Sequence, residues 1–398
     1  MYHAFGVRGY RYVRTEYQGG QTTFIIRPEA KTLRGPVGGS RDVRPKGRIE
    51  RRSRSLPIGS RATIVARPIP RVACAAGHVT RQVQVPFADP RRSYTQAFER
   101  SALELARRMT ILDVAKPLGV SGDVVKDIPK RDLSRRYAKP KLKDLRRIAI
   151  DEIAVGEGHR SLTVVLDLET GVVAFVGDGK GGGALKPFWK RLRRCRADIE
   201  AVAIDMSAAY REAVAAHLPK ATVVFDHFHV IKLFNDKLSD PRRSLYHQAD
   251  EAQKKVVKGS RWLLLKSPGN LDPERDEAGR PEEALKLNKP LAVAYYLKED
   301  LRQFWEQPGQ RFATAFLNGW VCRAAASGVR IVQQMARTLE AHRAGLLASY
   351  AYPISTGPRE GTNHKIKTRK RQAYGSRDQE FFKLKILAIH ETRYALVG

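Results

Sequence analysis

Two stretches decide the fold: Ile148-Ala149-Ile150-Asp151 and Val202-Ala203-Ile204-Asp205, each a short apolar run closed by a carboxylate. The same kind of run, bounded by glycine or charge, recurs at Leu162 to Leu166, Val172 to Val176 and Ala221 to Phe225. Such runs read as buried strands. Helical spacing over Ala184 to Arg194 and Ser207 to Ala216 separates the later ones. Three consecutive strands followed by alternating helix and strand predict a mixed five-stranded α/β sheet flanked by helices, over residues 141–227.

Beyond this core the β signal disappears. Over residues 228–352, Val329, Val332, Met335, Ala336, Leu339 and Leu346 recur at helical spacing, as do the apolar residues from Leu291 to Trp305. The expectation is an all-helical insertion, with Trp262, Trp305 and Trp320 in its core. Residues 353–398 then return to the core through the breaker Ser355-Thr356-Gly357-Pro358, a basic helix, and a last helix from about Gln379 to His390.

Ahead of the core, residues 1–88 hold 17 Lys and Arg against 4 Asp and Glu, interrupted by glycine and proline. They read as a basic module of short strands and loops, resting on Leu56, Ile58, Ile64, Val65, Val72, Val83 and Val85. Residues 89–140 are helical. Within them, Met109 to Ile128 has the pattern of a helix-turn-helix: Ala115 permits close packing, Gly119 turns the chain, and Val125 fills the junction. Ser121 is placed to cap the second helix. Ser121, Lys126 and Arg131 are the DNA-contact candidates of this unit.

Over all 398 residues, 73 Lys and Arg against 41 Asp and Glu give a net charge of +32, which points to a polyanionic partner. Cys74, Cys195 and Cys322 are too few and too scattered for a disulfide framework, and no apolar stretch is long enough to span a bilayer. A reducing cytoplasm and a nucleic-acid partner fit this composition, with no membrane role expected.

The chemistry rests on carboxylates. Asp151 and Asp205 at the carboxyl ends of neighbouring strands can converge and hold a hard divalent cation such as Mg²⁺, although a helix cap explains either one alone. Glu360 is the only acid among Arg359, Lys365, Lys367, Arg369, Lys370 and Arg371. A helix starting near Pro358 puts Glu360, Asn363 or His364, and Lys367 on one face; a first-turn Glu favoured by the helix dipole accounts for it equally. The turn Gly177 to Gly183 lacks the ending of a nucleotide-binding loop and reads as a flexible turn near DNA. Asp226 and His229 are given a supporting role at most.

The motifs Ile150-Asp151-Glu152-Ile153-Ala154, Ile204-Asp205-Met206-Ser207 with Tyr210, Phe225-Asp226-His227-Phe228-His229-Val230-Ile231-Lys232, and Thr356-Gly357-Pro358-Arg359-Glu360-Gly361-Thr362-Asn363 followed by Ile366-Lys367 resemble the ISL-three family of bacterial insertion-sequence transposases. The resemblance runs from about Leu33 to the C terminus. It implies a ribonuclease-H-like catalytic domain in which Asp151, Asp205 and Glu360 form a DDE triad holding two Mg²⁺ ions, with Mn²⁺ as a substitute. Lys365, Lys367, Arg369 and Arg371 would contact DNA. It also implies cleavage at terminal inverted repeats, strand transfer into target DNA, at least a homodimer on paired ends, and work at the nucleoid. The rival is a DNA-binding regulator derived from a transposase that no longer cuts.

The chain departs from the family pattern at its amino-terminal zinc ribbon. Gly35, Gly38 and Gly77 stand where cysteines are expected, so Cys74 and His78 supply at most two close ligands. No structural zinc is expected.

Overall fold

Glycine pairs and a long hairpin build the amino-terminal sheet. β1 (Tyr10–Gln18) turns into β2 (Gln21–Pro28) through Gly19 and Gly20, both at positive φ, the conformation a two-residue hairpin turn requires. β3 (Val43–Ile58) and β4 (Arg61–Cys74) form an antiparallel pair, and β5 (Gly77–Gln82) adds to β4. The order is β1-β2-β4-β3, with β2 parallel to β4. This corrects the expectation of short strands and loops: β3 and β4 have 16 and 14 residues. Several of their inward positions are polar, with Ser53, Ser55 and Thr63 buried, so no clean apolar period announces them. The expected core is also revised. Val65 and Val72 are buried, but Ile58 is 48% exposed, and Phe5, Val7, Ile26 and Phe87 take its place.

The computed structural model describes residues 5–35, 39–74, 77–155, 160–248, 264, 272, 289–354, 357–372 and 378–390. The chain divides into two units, Met1–Ala138 with Ser376–Leu384 and Thr392–Gly398, and Lys139–Gly375 with Lys385–Glu391. Past β5 come α1 (Gln96–Ala106), α2 (Ile111–Leu118) and α3 (Gly122–Tyr137). Arg54 of β3 ties them to the sheet: its guanidinium donates to the Leu118 carbonyl at 2.7 Å, at the carboxyl end of α2 where a cation is favoured. Its backbone bonds Ser93 and Thr95.

The second unit is built on β6 (Arg147–Ala154), β7 (Ser161–Asp167), β8 (Val173–Asp178), β9 (Ala201–Ile204) and β10 (Thr222–Phe225), in the order β10-β9-β6-β7-β8. β7 is antiparallel to β6 and β8; β9 is parallel to β6 and β10 to β9. Four carboxyl ends thus share one edge. This mixed sheet is consistent with a ribonuclease-H-like transposase fold. α4 (Lys186–Cys195) and α5 (Ala208–His217) pack Phe188, Trp189, Leu192, Tyr210 and Val214 against Ile148, Ile150, Val202 and Ile204.

The described elements from residue 227 to 350 are helical: α6 (His227–Gln248), α7 (Lys289–Arg302), α8 (Gln310–Ala326), α9 (Arg330–Ala341) and α10 (Arg343–Leu347), with short 3-10 turns. Val332, Met335, Ala336, Leu339 and Leu346 are buried, as their spacing predicts, and share one core with the sheet. Trp320 is buried with its indole N–H donating to the Leu297 carbonyl at 2.9 Å. Trp305 stacks on His227, ring centres 4.0 Å apart, and Trp262 lies outside the described residues. α11 (Gly357–Gln372) and α12 (Gln379–Leu387) follow. Among the described residues no helix is long and apolar enough to cross a membrane.

Candidate active site

Three strands running side by side in one direction bring the aspartates toward one edge of the sheet. Arg147 stands opposite Ala201, Ile148 opposite Val202 and Ala149 opposite Ala203. Asp151 and Asp205 each come two residues after the last paired residues, Ala149 and Ala203, so both lie just past the paired segment, toward the same edge of the sheet. Phe225 stands opposite Ile204, so the next step sets Asp226 level with Asp205. One position is corrected. Asp205 follows the end of β9, but Asp151 lies inside β6, because pairing with β7 continues through Ala154 opposite Ser161 while pairing with β9 stops at Ala149. Asp151 therefore keeps a rigid backbone on one flank and an open flank toward Asp205.

Hydrogen bonds orient each acid. Asp151 Oδ1 accepts from the Glu152 backbone N–H at 2.8 Å, and Oδ2 accepts from the Asn363 side-chain amide at 2.7 Å. Asp205 Oδ1 accepts from Ser207 N–H at 3.0 Å, turning the chain into α5. Asp226 is buried; its Oδ1 accepts from Phe228 N–H at 3.0 Å and its Oδ2 lies 2.8 Å from His229 Nδ1. That pair caps the start of α6.

The Asn363 bond brings α11 over the face of β6 that carries Asp151. Glu360 lies in the first turn of this helix, three residues before Asn363 and so on the same side; its side chain lies outside the described residues. Thr362 and Ile366 are buried, while Lys367 and Arg371 are exposed and Lys365 and Arg369 half-buried. Thr362 Oγ1 lies 2.9 Å from His390 Nε2. Burial and then the Lys365 and Arg369 charges hold His390 below the usual histidine value, and burial and Arg369 lower Lys385 likewise. This end of the unit is strongly cationic.

The donor set fits a hard divalent ion: such an ion takes oxygen ligands, and Asp151 and Asp205 offer carboxylate oxygens toward the same edge of the sheet. Among the described residues no group of three or more His, Cys, Asp and Glu forms a metal cluster, Glu360 being outside that comparison. Cys74 and His78 likewise have side chains outside the described residues.

In the helix-turn-helix, Ala115 and Val125 are buried and Gly119 takes φ +59° at the turn. Ser121 Oγ accepts from Val124 N–H at 3.4 Å, the expected cap. Lys126 is 3.3 Å from Asp123. Arg131 is committed internally, to Glu99 at 2.5 Å, Asp127 at 3.0 Å and Tyr94 at 3.2 Å. These bonds brace α1 against α3.

Sequence reasoning assigned no role to Glu152. Glu152 follows Asp151, so strand alternation sends it to the opposite face, where its Oε1 accepts from Tyr210 O–H at 2.8 Å and Gly181 N–H at 3.1 Å. The glycine-rich turn is thereby pinned, which corrects its reading as flexible. The signal was an acidic residue at an inward position of a buried strand.

A family model described as transposase, of the DDE class, matches residues 148–386, and one for the helix-turn-helix domain of transposase family ISL3 matches residues 83–132. The transposase for insertion sequence element IS1001 of Bordetella parapertussis is 31% identical over 96% of this chain and 96% of its own length. The transposase for IS1557 of Mycobacterium tuberculosis is 28% identical over 96% of this chain and 91% of its own. Among solved structures, the Drosophila P element transposase strand transfer complex aligns at 10% identity and TM-score 0.38, over 75% of this chain and 92% of that one. DDE transposases use divalent metal. The chain belongs to transposase family ISL3 and is a DDE transposase with a helix-turn-helix DNA-binding domain.

Proposed function

We propose that this transposase binds the terminal inverted repeats of its own insertion sequence, cleaves a strand there to expose a 3′-hydroxyl, and joins that end to target DNA. The observation that supports this best is the bond from Asn363, one turn after Glu360, to Asp151, whose strand runs parallel to the one that ends before Asp205. Asp151, Asp205 and Glu360 would hold two Mg²⁺ ions, for which Mn²⁺ can substitute. When bound, the ions supply positive charge at the attacking and leaving oxygens of an in-line displacement. Asn363 and the Glu152 N–H fix the Asp151 carboxylate, and Ser207 N–H fixes that of Asp205.

In the first step water adds to phosphorus, the bond to the 3′ oxygen breaks, and that oxygen leaves protonated. In the second, the new 3′-hydroxyl attacks a target phosphate and displaces the target's own 3′ oxygen. No covalent bond to the enzyme forms. Lys365, Lys367, Arg369 and Arg371 position phosphates, and the amino-terminal sheet with the helix-turn-helix, through Ser121 and Lys126, supplies end recognition. Residues 228–352 act as a helical insertion within the catalytic core. The working form is at least a homodimer on paired ends, acting at the nucleoid without structural zinc.

Replacing Asp151, Asp205 or Glu360 with Ala should lower Mg²⁺-dependent cleavage of end DNA by on the order of a thousandfold or more, leaving end binding intact. Near-normal cleavage by Glu360→Ala would overturn the assignment.

A further inference from the structure

The turn between β8 and α4, Gly177-Asp178-Gly179-Lys180-Gly181-Gly182-Gly183, has no part in the function proposed above, yet it is held from several sides. A Cβ at Gly177 would stand 2.4 Å from the Ala184 carbonyl oxygen. Gly179 and Gly181 have φ of +82° and +76°. Gly179 donates to the Ser161 carbonyl at 2.9 Å and accepts from Thr163 Oγ1 at 3.0 Å. Gly181 N–H points at both Glu152 Oε1 and the Tyr210 hydroxyl, each at 3.1 Å. Tyr210 and Thr163 are buried, their oxygens 3.1 Å apart, and burial pushes the Tyr210 phenol above its ordinary value, keeping it a donor to Glu152.

A five-glycine turn is the costliest backbone to order. Burying a phenol beneath it, against a half-buried carboxylate, adds desolvation cost, so apolar packing would have been the cheaper way to close the chain. What the arrangement fixes is the tip, where Lys180 is exposed. β8 runs parallel to β6, so the tip lies on the edge that carries Asp151 and Asp205, two strand spacings or about 10 Å to the side of Asp151. A cation held there would face a DNA strand lying across that edge.

We propose that Glu152 and Tyr210 are positioning residues that hold this turn so that Lys180 meets a backbone phosphate of the DNA engaged at Asp151 and Asp205. This rests on the function proposed above. Binding is read by fluorescence anisotropy of the full chain in EDTA, across a salt series, on a duplex ending in the inverted repeat that flanks the gene and on a random duplex. Lys180→Ala should weaken binding severalfold and flatten the logarithmic salt slope by about 0.9, one phosphate contact. Tyr210→Phe should also weaken binding, and the double variant should bind no worse than Lys180→Ala, since both remove one contact. Glu152→Gln, which keeps an oxygen for Gly181, should retain more affinity than Glu152→Ala. An unchanged slope in Lys180→Ala, or additive losses in the double variant, overturns the proposal and leaves the turn a structural brace. Failure of the wild type to prefer end over random duplex would instead count against the proposed function, because the Lys180 slope is read on either duplex.

Discussion

The chain carries two five-stranded sheets, and they bury different chemistry. In the carboxyl-edge sheet of β6 to β10, Ile148, Ala149, Ile150 and Val202, Ala203, Ile204 are buried in unbroken runs, so both faces of these strands are covered. In the amino-terminal sheet, β3 and β4 bury Ser53, Ser55, Thr63 and even Arg67, whose guanidinium bonds Ser53 at 3.0 Å and lies over the Phe87 ring. One sheet is held by apolar area and close backbone packing; the other by hydrogen bonds, a small apolar cluster and its tie to the helices. A sheet that presents Arg44, Lys46, Arg48 and Arg52 on an exposed edge strand is guarded against edge pairing by that charge, and the same bases suit a DNA backbone.

The contrast can be broken where the first sheet is tightest. Gly177→Ala places a methyl against the Ala184 carbonyl, a backbone atom that cannot step aside, and should cost about 3 kcal/mol in a thermal or urea melt. A loss below about 1 kcal/mol would mean that close packing does not hold this sheet.

The tie in the amino-terminal unit should matter less. Arg54→Ala removes the donor to the Leu118 carbonyl and should cost about 1 to 2 kcal/mol, with a larger loss on end DNA than on random DNA because α2 and α3 lose their seat on β3. Equal losses on both duplexes would separate the sheet from recognition.

Smallest of all should be Ile58→Thr. The side chain is 48% exposed near the hairpin tip, so the change should stay within about 0.5 kcal/mol, whereas Val65→Thr in the same sheet, fully buried, should cost more. A large effect at Ile58 would restore it to the core that the sequence assigned.

The catalytic sheet was legible because continuous burial leaves continuous apolar runs, and its two aspartates stood out as the charges that end or interrupt them. The helix-turn-helix was legible from Ala115, Gly119 and Val125, since close packing and a left-handed turn restrict residue type. The length of β3 and β4 was not legible, because a strand with polar residues on both faces has no hydrophobic period. Arg131, read as a DNA contact, is held by Glu99, Asp127 and Tyr94, partners that are near only after α1 and α3 pack.

Residue type and local order by themselves determined the class of chemistry: carboxylates in apolar strand runs, an acid within a basic helix, and a net charge of +32 that demands a polyanion. Only the tertiary structure decided which groups meet. Asp151 and Asp205 come toward one edge of the sheet because β6 and β9 run parallel, and Asn363 reaches Asp151 across 212 positions of chain. Glu152 turns from an unremarked neighbour of Asp151 into the anchor of a distant glycine turn, because a pleated strand sends adjacent side chains to opposite faces and folding alone determines what waits on each.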